Sequence, residues 1–225
     1  IKAPRNSQPK SMLTGPQGIE NEFLSVTILA NGSLDVTDKA TGRVFRNQGH
    51  FRDSAEIGNP WEHQVPQENM RFTTLNQRAE IVLLRDGELE AAFSVRLDWH
   101  LPEGRSADGL GRDAHLRSYP ITNTVILRRG QPWVEIRTEV DNTVEDHYLQ
   151  VAFPTGLKAK HSHAQGQFDV VQRSVTKVDY SLYDEIPMTE HPMNSFVDIS
   201  DGETGIAFLN EGLKAYEAGD DPEGT

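Results

Sequence analysis

One loop of the sequence combines residue types that suit the binding of a sugar. Residues 53–66 hold Asp53, Glu56, Trp61 and His63, together with a glycine and two prolines. Carboxylates accept hydrogen bonds from sugar hydroxyls, and an indole stacks on the apolar face of a sugar ring. Loops on a rigid β scaffold often carry binding residues, although the same composition also fits an ordered surface loop with a partly buried Trp. The sequence predicts a candidate binding loop here without identifying an active centre.

Other chemically capable residues form weaker patterns. His161 and His163 would share one face of an extended segment, but a metal site needs a third ligand, for which Asp146 or His147 is available. His191 precedes a proline and is either a turn residue or a substrate contact. The sequence contains no nucleophile elbow, no phosphate-binding glycine loop and no dinucleotide fingerprint. Glycosidases use two carboxyl groups, and the spacing alone assigns no such pair.

The composition excludes several classes of protein. The chain of 225 residues has 34 acidic and 22 basic residues, a net charge of −12, which argues against a nucleic-acid partner. It has no cysteine, hence no disulfide and no cysteine-bound zinc, which fits a reducing, cytoplasmic compartment. No apolar run approaches the ~20 residues that span a bilayer, and the first residues lack a signal-peptide core. We therefore expect neither a nucleic acid nor a membrane as a partner.

The elements that would position these residues are β-strands. Apolar residues alternate with polar ones, and the turn dipeptides Asn31-Gly32 and Asp86-Gly87 separate predicted strands. Predicted strands lie near residues 24–28, 34–37, 44–45, 71–76, 79–86, 88–98, 121–128, 132–142, 149–153, 194–200, 205–210 and 212–217. No segment has convincing helical spacing. We predict an all-β fold of two large packed antiparallel sheets over residues 19–225, after a lead-in or linker at residues 1–18.

Several segments, in this order, resemble the C-terminal β-sandwich domain of glycoside hydrolase family 38 α-mannosidases. The matching segments are residues 19–26, 31–34, 38–42, 53–66, 140–156, 168–173, 191–198 and 205–213. The resemblance spans about residues 19–217, and the Asp-His…Phe-Pro-Thr-Gly pattern within residues 140–156 is its most specific part. It implies a galactose-mutarotase-like supersandwich that continues beyond this chain by one or more strands.

The resemblance also implies a function that this chain would share with other domains. Family members are zinc-dependent, retaining α-mannosidases whose zinc ligands and nucleophilic aspartate lie on a preceding α/β barrel that this chain lacks. We therefore expect no catalytic or metal-binding residue here. The expected partners are a mannose-containing oligosaccharide and the enzyme's own barrel domain. One stacked aromatic contributes only about 0.5–1.5 kcal/mol, so we expect the chain alone to be inactive.

In the family, the loop that matches residues 53–66 folds over the barrel's pocket, and an aromatic residue lines the subsite of the cleaved mannose. The matching residue is Trp61, where many relatives have Tyr. The resemblance therefore implies substrate-binding roles for Trp61 and, beside it, for Asp53, Glu56 and His63. For Asp146, His147 and Arg173 we expect a structural role that holds a strand crossover in place.

Three alternatives remain open at this stage. The chain could be a free-standing carbohydrate-binding module. It could also be an aldose-epimerase-like enzyme, which needs a His acid and a Glu base facing one sugar ring. Finally, it could serve as an assembly interface in a homo-oligomer, which predicts an exposed apolar patch.

Overall fold

The computed structural model describes residues 11–59, 63–176 and 189–219. Within these ranges the chain forms eighteen β-strands and one short 3-10 turn at Thr74–Asn76, with no α-helix. No helix in the described part is therefore long or apolar enough to cross a membrane. The described chain divides into two compact units, the first comprising residues 11–58 and 64–151, and the second comprising residues 59, 63, 152–176 and 189–219.

The first sheet of the first unit is a five-stranded antiparallel meander. Its strands are Leu13–Gly15 (β1), Gly18–Glu20 (β2), Leu24–Ile28 (β3), Leu34–Asp38 (β4) and Val44–Gln48 (β5), in that order. The predicted turn between β3 and β4 needs a glycine, because Gly32 has a φ of +86° and an added Cβ would lie 2.9 Å from Val95.

The second sheet contains two unusually long strands. It consists of Glu80–Asp86 (β8), Glu90–Pro102 (β9), Leu116–Arg128 (β10) and Val134–Val140 (β11), in the order β11-β10-β9-β8. The two central strands have 13 residues each and are paired along their whole length. The five-stranded sheet covers only one half of them. The core at this half consists of Met12, Ile19, Val26, Ile28, Leu34, Ala91, Phe93, Val95, Val125 and Leu127.

A third, smaller sheet covers the other half of the long strands. It is formed by His50–Ala55 (β6), Phe72–Thr73 (β7) and His147–Ala152 (β12), in the order β12-β6-β7. The second core consists of Phe51, Leu97, Trp99, Leu101, Tyr119, Ile121 and Val144. The strands β9 and β10 therefore take part in both cores of the first unit.

The second unit has a four-stranded antiparallel sheet. Its strands are His161–Gln165 (β13), Val170–Ser174 (β14), Phe196–Ser200 (β16) and Gly205–Leu209 (β17), in the order β14-β13-β16-β17, and His191–Pro192 (β15) pairs with Ala215–Tyr216 (β18). Ala164, Met193, Val197 and Tyr216 form its core. The Tyr216 hydroxyl lies 2.9 Å from the Ser162 hydroxyl and accepts a hydrogen bond from Arg173 at 3.2 Å. Arg173 thus contacts the core tyrosine of this unit.

The structure confirms the all-β, antiparallel prediction, and the strands of the described residues are arranged in five antiparallel sheets. One boundary differs from the prediction. The predicted lead-in is too long. Residues 1–10 lie outside the described part, but β1 pairs with β2 and Met12 is buried, because an apolar side chain here completes the first core.

Candidate functional site

Three loops meet at one end of the long strands. They are residues 56–71 between β6 and β7 (loop A), residues 103–115 between β9 and β10 (loop B), and residues 141–146 between β11 and β12 (loop C). One backbone hydrogen bond of 2.9 Å joins each pair of loops. These bonds run from Glu56 to Asp146, from Glu68 to Leu110 and from Glu145 to Glu103. Residues 56–58 and 64–71 of loop A therefore form one connected edge of the first unit together with loops B and C.

A buried carboxylate holds the base of this edge. Asp53 lies on β6, three residues before loop A, and its side chain is 0% exposed. One carboxylate oxygen lies 2.5 Å from Nη2 of Arg112 in loop B, and the other lies 2.6 Å from Nδ1 of His147. The side chains of Arg112 and His147 are themselves only 2% and 8% exposed. A buried charge requires such partners, since an unpaired ion away from water is strongly unfavourable.

His147 connects this carboxylate to loop C. Because a carboxylate only accepts hydrogen bonds, Nδ1 of His147 donates to Asp53, while Nε2 lies 3.0 Å from Oδ1 of Asn142. The ring packs edge-on against Tyr119 at 5.3 Å. Burial and then the charge of Asp53 raise the pKa of Tyr119 to about 12, so this phenol stays protonated at neutral pH. His147 has the structural, crossover-holding position that the sequence predicted.

Glu56 closes the neck of loop A. Its Oε1 accepts hydrogen bonds from the backbone of Gly58 at 2.7 Å and of Gln64 at 3.1 Å. The backbone of Ile57 also donates to the carbonyl of Gln64 at 2.9 Å. The two limbs of loop A are therefore tied together on either side of residues 59–63.

The structure describes three of the four predicted substrate-binding residues, Asp53, Glu56 and His63. Trp61 lies outside the described residues, and His63 is exposed and belongs to the second unit. Glu56 lies at the neck of loop A. Asp53 is covered by its own unit, so its geometry favours positioning of the loop over direct contact with a sugar. The sugar contacts themselves stay predictions.

The sequence reasoning missed Arg112 as a member of this edge. Arg112 falls inside residues 102–118, which the sequence indicated as a long loop of functional or mobile character. Nothing in the local pattern distinguishes it from Arg105 in the same loop. Only the fold brings it to Asp53.

The described residues provide no metal site. They contain no group of three or more His, Cys, Asp or Glu side chains placed to hold an ion. His161 and His163 lie on β13, where His163 is opposite Gln172 on one side and Asp198 on the other. A zinc ion would therefore not fit the donor groups of the described chain.

The fold and the loop cluster define an all-β domain with three connected loops at one edge. Residues 19–221 match the family described as glycosyl hydrolases family 38 C-terminal domain, and the chain belongs to this family. The resemblance inferred from the sequence is thereby confirmed.

Solved structures share the fold and are much longer proteins. An α-mannosidase from Enterococcus faecalis V583 is 29% identical with a TM-score of 0.87, over 94% of this chain and 25% of that protein. A glycosyl hydrolase family 38 protein from Enterococcus faecalis is 27% identical with a TM-score of 0.85, over 94% and 26%. A protein of Halalkalibacterium halodurans named "Putative mannosylglycerate hydrolase" is 26% identical, over 88% and 23%. The chain thus spans about a quarter of the length of these relatives.

Proposed function

We propose that this chain lines the sugar site of a zinc-dependent, retaining α-mannoside hydrolase with loop A, while the reacting groups lie elsewhere in a longer parent protein. The observation that carries the proposal is the rigid base of loop A, where Asp53 is held by Arg112 and His147. A base fixed in this way holds the two limbs of loop A, residues 56–58 and 64–71, in one arrangement, which lowers the entropic cost of binding.

The residue types at this edge indicate which groups this chain would supply and which the rest of the parent would supply. The described residues offer no metal-binding group, and the zinc would be bound outside this chain. The two carboxyl groups that retaining glycosidases use, one as nucleophile and one as acid and base, would also come from the rest of the parent. Loop A would contribute Trp61 for stacking, together with Glu56 and His63.

Exposed apolar side chains at the same edge support docking against the rest of the parent. Val65 and Met70 in loop A, Leu110 in loop B and Leu116 at the start of β10 are all about half exposed or more. Apolar groups clustered on a surface commonly mark an interface. Because the relatives are about four times as long, we assign this surface to the parent's catalytic part.

The substrate class rests on the relatives' names. One relative is an α-mannosidase and another is named for the hydrolysis of mannosylglycerate, so the two names share the mannosyl group. We therefore propose an α-mannoside as substrate, with mannose as the sugar that loop A contacts.

The test compares the chain with its full-length parent on an aryl α-mannoside. The parent should hydrolyse it and the chain alone should not. In the parent, Trp61→Ala should lower kcat/KM about 2- to 13-fold, the value of one lost aromatic contact of roughly 0.5–1.5 kcal/mol.

Trp133→Ala is the matched control, because Trp133 is 51% exposed and precedes β11, at the end of β10 opposite to loop B. It should leave kcat/KM unchanged. Hydrolysis by the chain alone would refute the division of labour, and equal effects of the two substitutions would refute the role of loop A.

A further inference from the structure

We infer that Arg112 is a positioning residue for the sugar site, through which loop B fixes the two limbs of loop A, residues 56–58 and 64–71, relative to each other. This inference rests on the proposed function of loop A. It assigns a role to a side chain that is only 2% exposed.

Arg112 bridges the two limbs of loop A. Its Nη2 pairs with Asp53, which lies on the strand that leads into loop A. Its Nη1 donates a hydrogen bond of 3.3 Å to the carbonyl of Met70, one residue before the end of loop A. The guanidinium also lies over the ring of Phe72, with its carbon 5.2 Å from the ring centroid. One planar cation therefore fixes the separation of the limbs.

The backbone of loop B reinforces this bridge. The carbonyl of Leu110 accepts a hydrogen bond from Glu68, and a Cβ added at Gly111 would lie 3.3 Å from the carbonyl oxygen of Glu68. Glycine thus permits loop B to approach the outgoing limb of loop A closely, directly beside Arg112. The incoming limb is tied to the same region, since Ala55 donates to Oδ1 of Asn69 at 2.9 Å.

Loop B is ordered by its own contacts and can act as a support. The side chain of Ser106 accepts from Gly111 at 3.0 Å and lies 2.6 Å from Asp108. The guanidinium of Arg105 donates to the carbonyl of Gly109, which has a φ of +73°. A backbone bridge between Arg105 and Arg112 closes the loop at its base. Arg112 therefore extends from a rigid loop.

The ion pair of Arg112 and Asp53 contributes more to the geometry of loop A than to the stability of the fold. A buried ion pair is often no more stabilising than apolar residues of the same volume, but it specifies one arrangement of the segments that it joins. A lysine could keep the charge beside Asp53. It lacks the planar fork that reaches Asp53 and Met70 together and stacks on Phe72.

The test uses the full-length parent with Arg112→Lys and measures two quantities. Hydrogen exchange of peptides within residues 54–71 should increase at least about 10-fold, while peptides from β9 and β10 stay protected. The KM for an aryl α-mannoside should rise several-fold with a smaller change in kcat, because the substitution makes loop A, which lines the sugar site, more mobile. Arg137→Lys is the control, since Arg137 is 67% exposed and pairs with Glu135 on the outer face of β11.

A second variant guards against failure to fold. The double variant Asp53→Asn with Arg112→Met removes both buried charges, so the protein should still fold. Hydrogen exchange in loop A should nevertheless be faster than in the wild type. Unchanged exchange and KM in both variants would overturn the inference. Exchange that rises equally throughout the first unit would also overturn it, because Arg112 would then be a general structural residue.

The outcomes separate the inference from the proposed function. Faster exchange in loop A, in a parent whose wild-type form does not cleave α-mannosides, would support the positioning role of Arg112 and refute the proposed substrate. Normal cleavage with no change in loop A would refute the positioning role alone.

Discussion

Replacing Asp53 by Ala removes the carboxylate on which two cationic or hydrogen-bonding side chains converge. Arg112 would stay buried at 2% exposure without its ion-pair partner, and His147 would lose the acceptor of its Nδ1 proton. The first loss is the larger, because an arginine cannot neutralise itself by losing a proton. The perturbation therefore tests how strongly the three loops depend on one buried group.

The magnitude follows from the burial of the pair. Breaking a buried ion pair by removing one partner costs about 3–5 kcal/mol. For a protein of 150–250 residues, each kcal/mol lowers Tm by about 2–4 °C, so the expected decrease is about 6 to 20 °C. Removing the second charge as well, in Asp53→Ala with Arg112→Met, should recover more than half of the loss.

The measurement is thermal and urea unfolding of the 225-residue chain for wild type, both variants and a control. Glu20→Ala is the control, because Glu20 pairs with Lys39 at 3.3 Å with both side chains well exposed, and such pairs contribute under about 1 kcal/mol. A loss for Asp53→Ala as small as that of the control would refute the argument. No recovery in the double variant would show that the charge of Arg112 is not the cause.

Two further predictions concern other parts of the chain. Gly32→Ala should destabilise the first unit by more than about 1 kcal/mol in urea unfolding, since the +86° φ disfavours a side chain and the new Cβ would meet Val95; a neutral effect would contradict the assigned turn. Burial and then the charge of Arg173 lower the pKa of His191 below 6.5, so the unfolded chain binds this proton more readily and stability should fall as the pH drops through and below 6.5. His191→Asn should flatten that dependence, and an unchanged pH profile would contradict it.

Local chemistry made some of the fold predictable. The Asn31-Gly32 dipeptide defines the turn between β3 and β4, and the alternation of residues 121–128 and 132–142 identifies the pair β10 and β11. Both features are determined by residues that are close in sequence, so the local sequence pattern predicts them.

Other features depend on distant residues. β10 begins at Leu116 rather than at residue 121, because Pro120 interrupts the pattern while Tyr119 still fills the second core. The pair of Asp53 and His147 joins residues 94 apart, and the loop that brings Arg112 to them has no periodicity to read. The sequence therefore predicted loop A but not its support.

The long hairpin of β9 and β10 has a consequence for cooperativity. At about 3.3 Å per residue, each strand extends roughly 40 Å, through both hydrophobic cores and out to loop B. Neither core can unfold without removing strands that complete the other core, so both cores should unfold in a single transition. Surface loops usually open well below the global melting temperature. We expect loop B to open only when the hairpin of β9 and β10 unfolds.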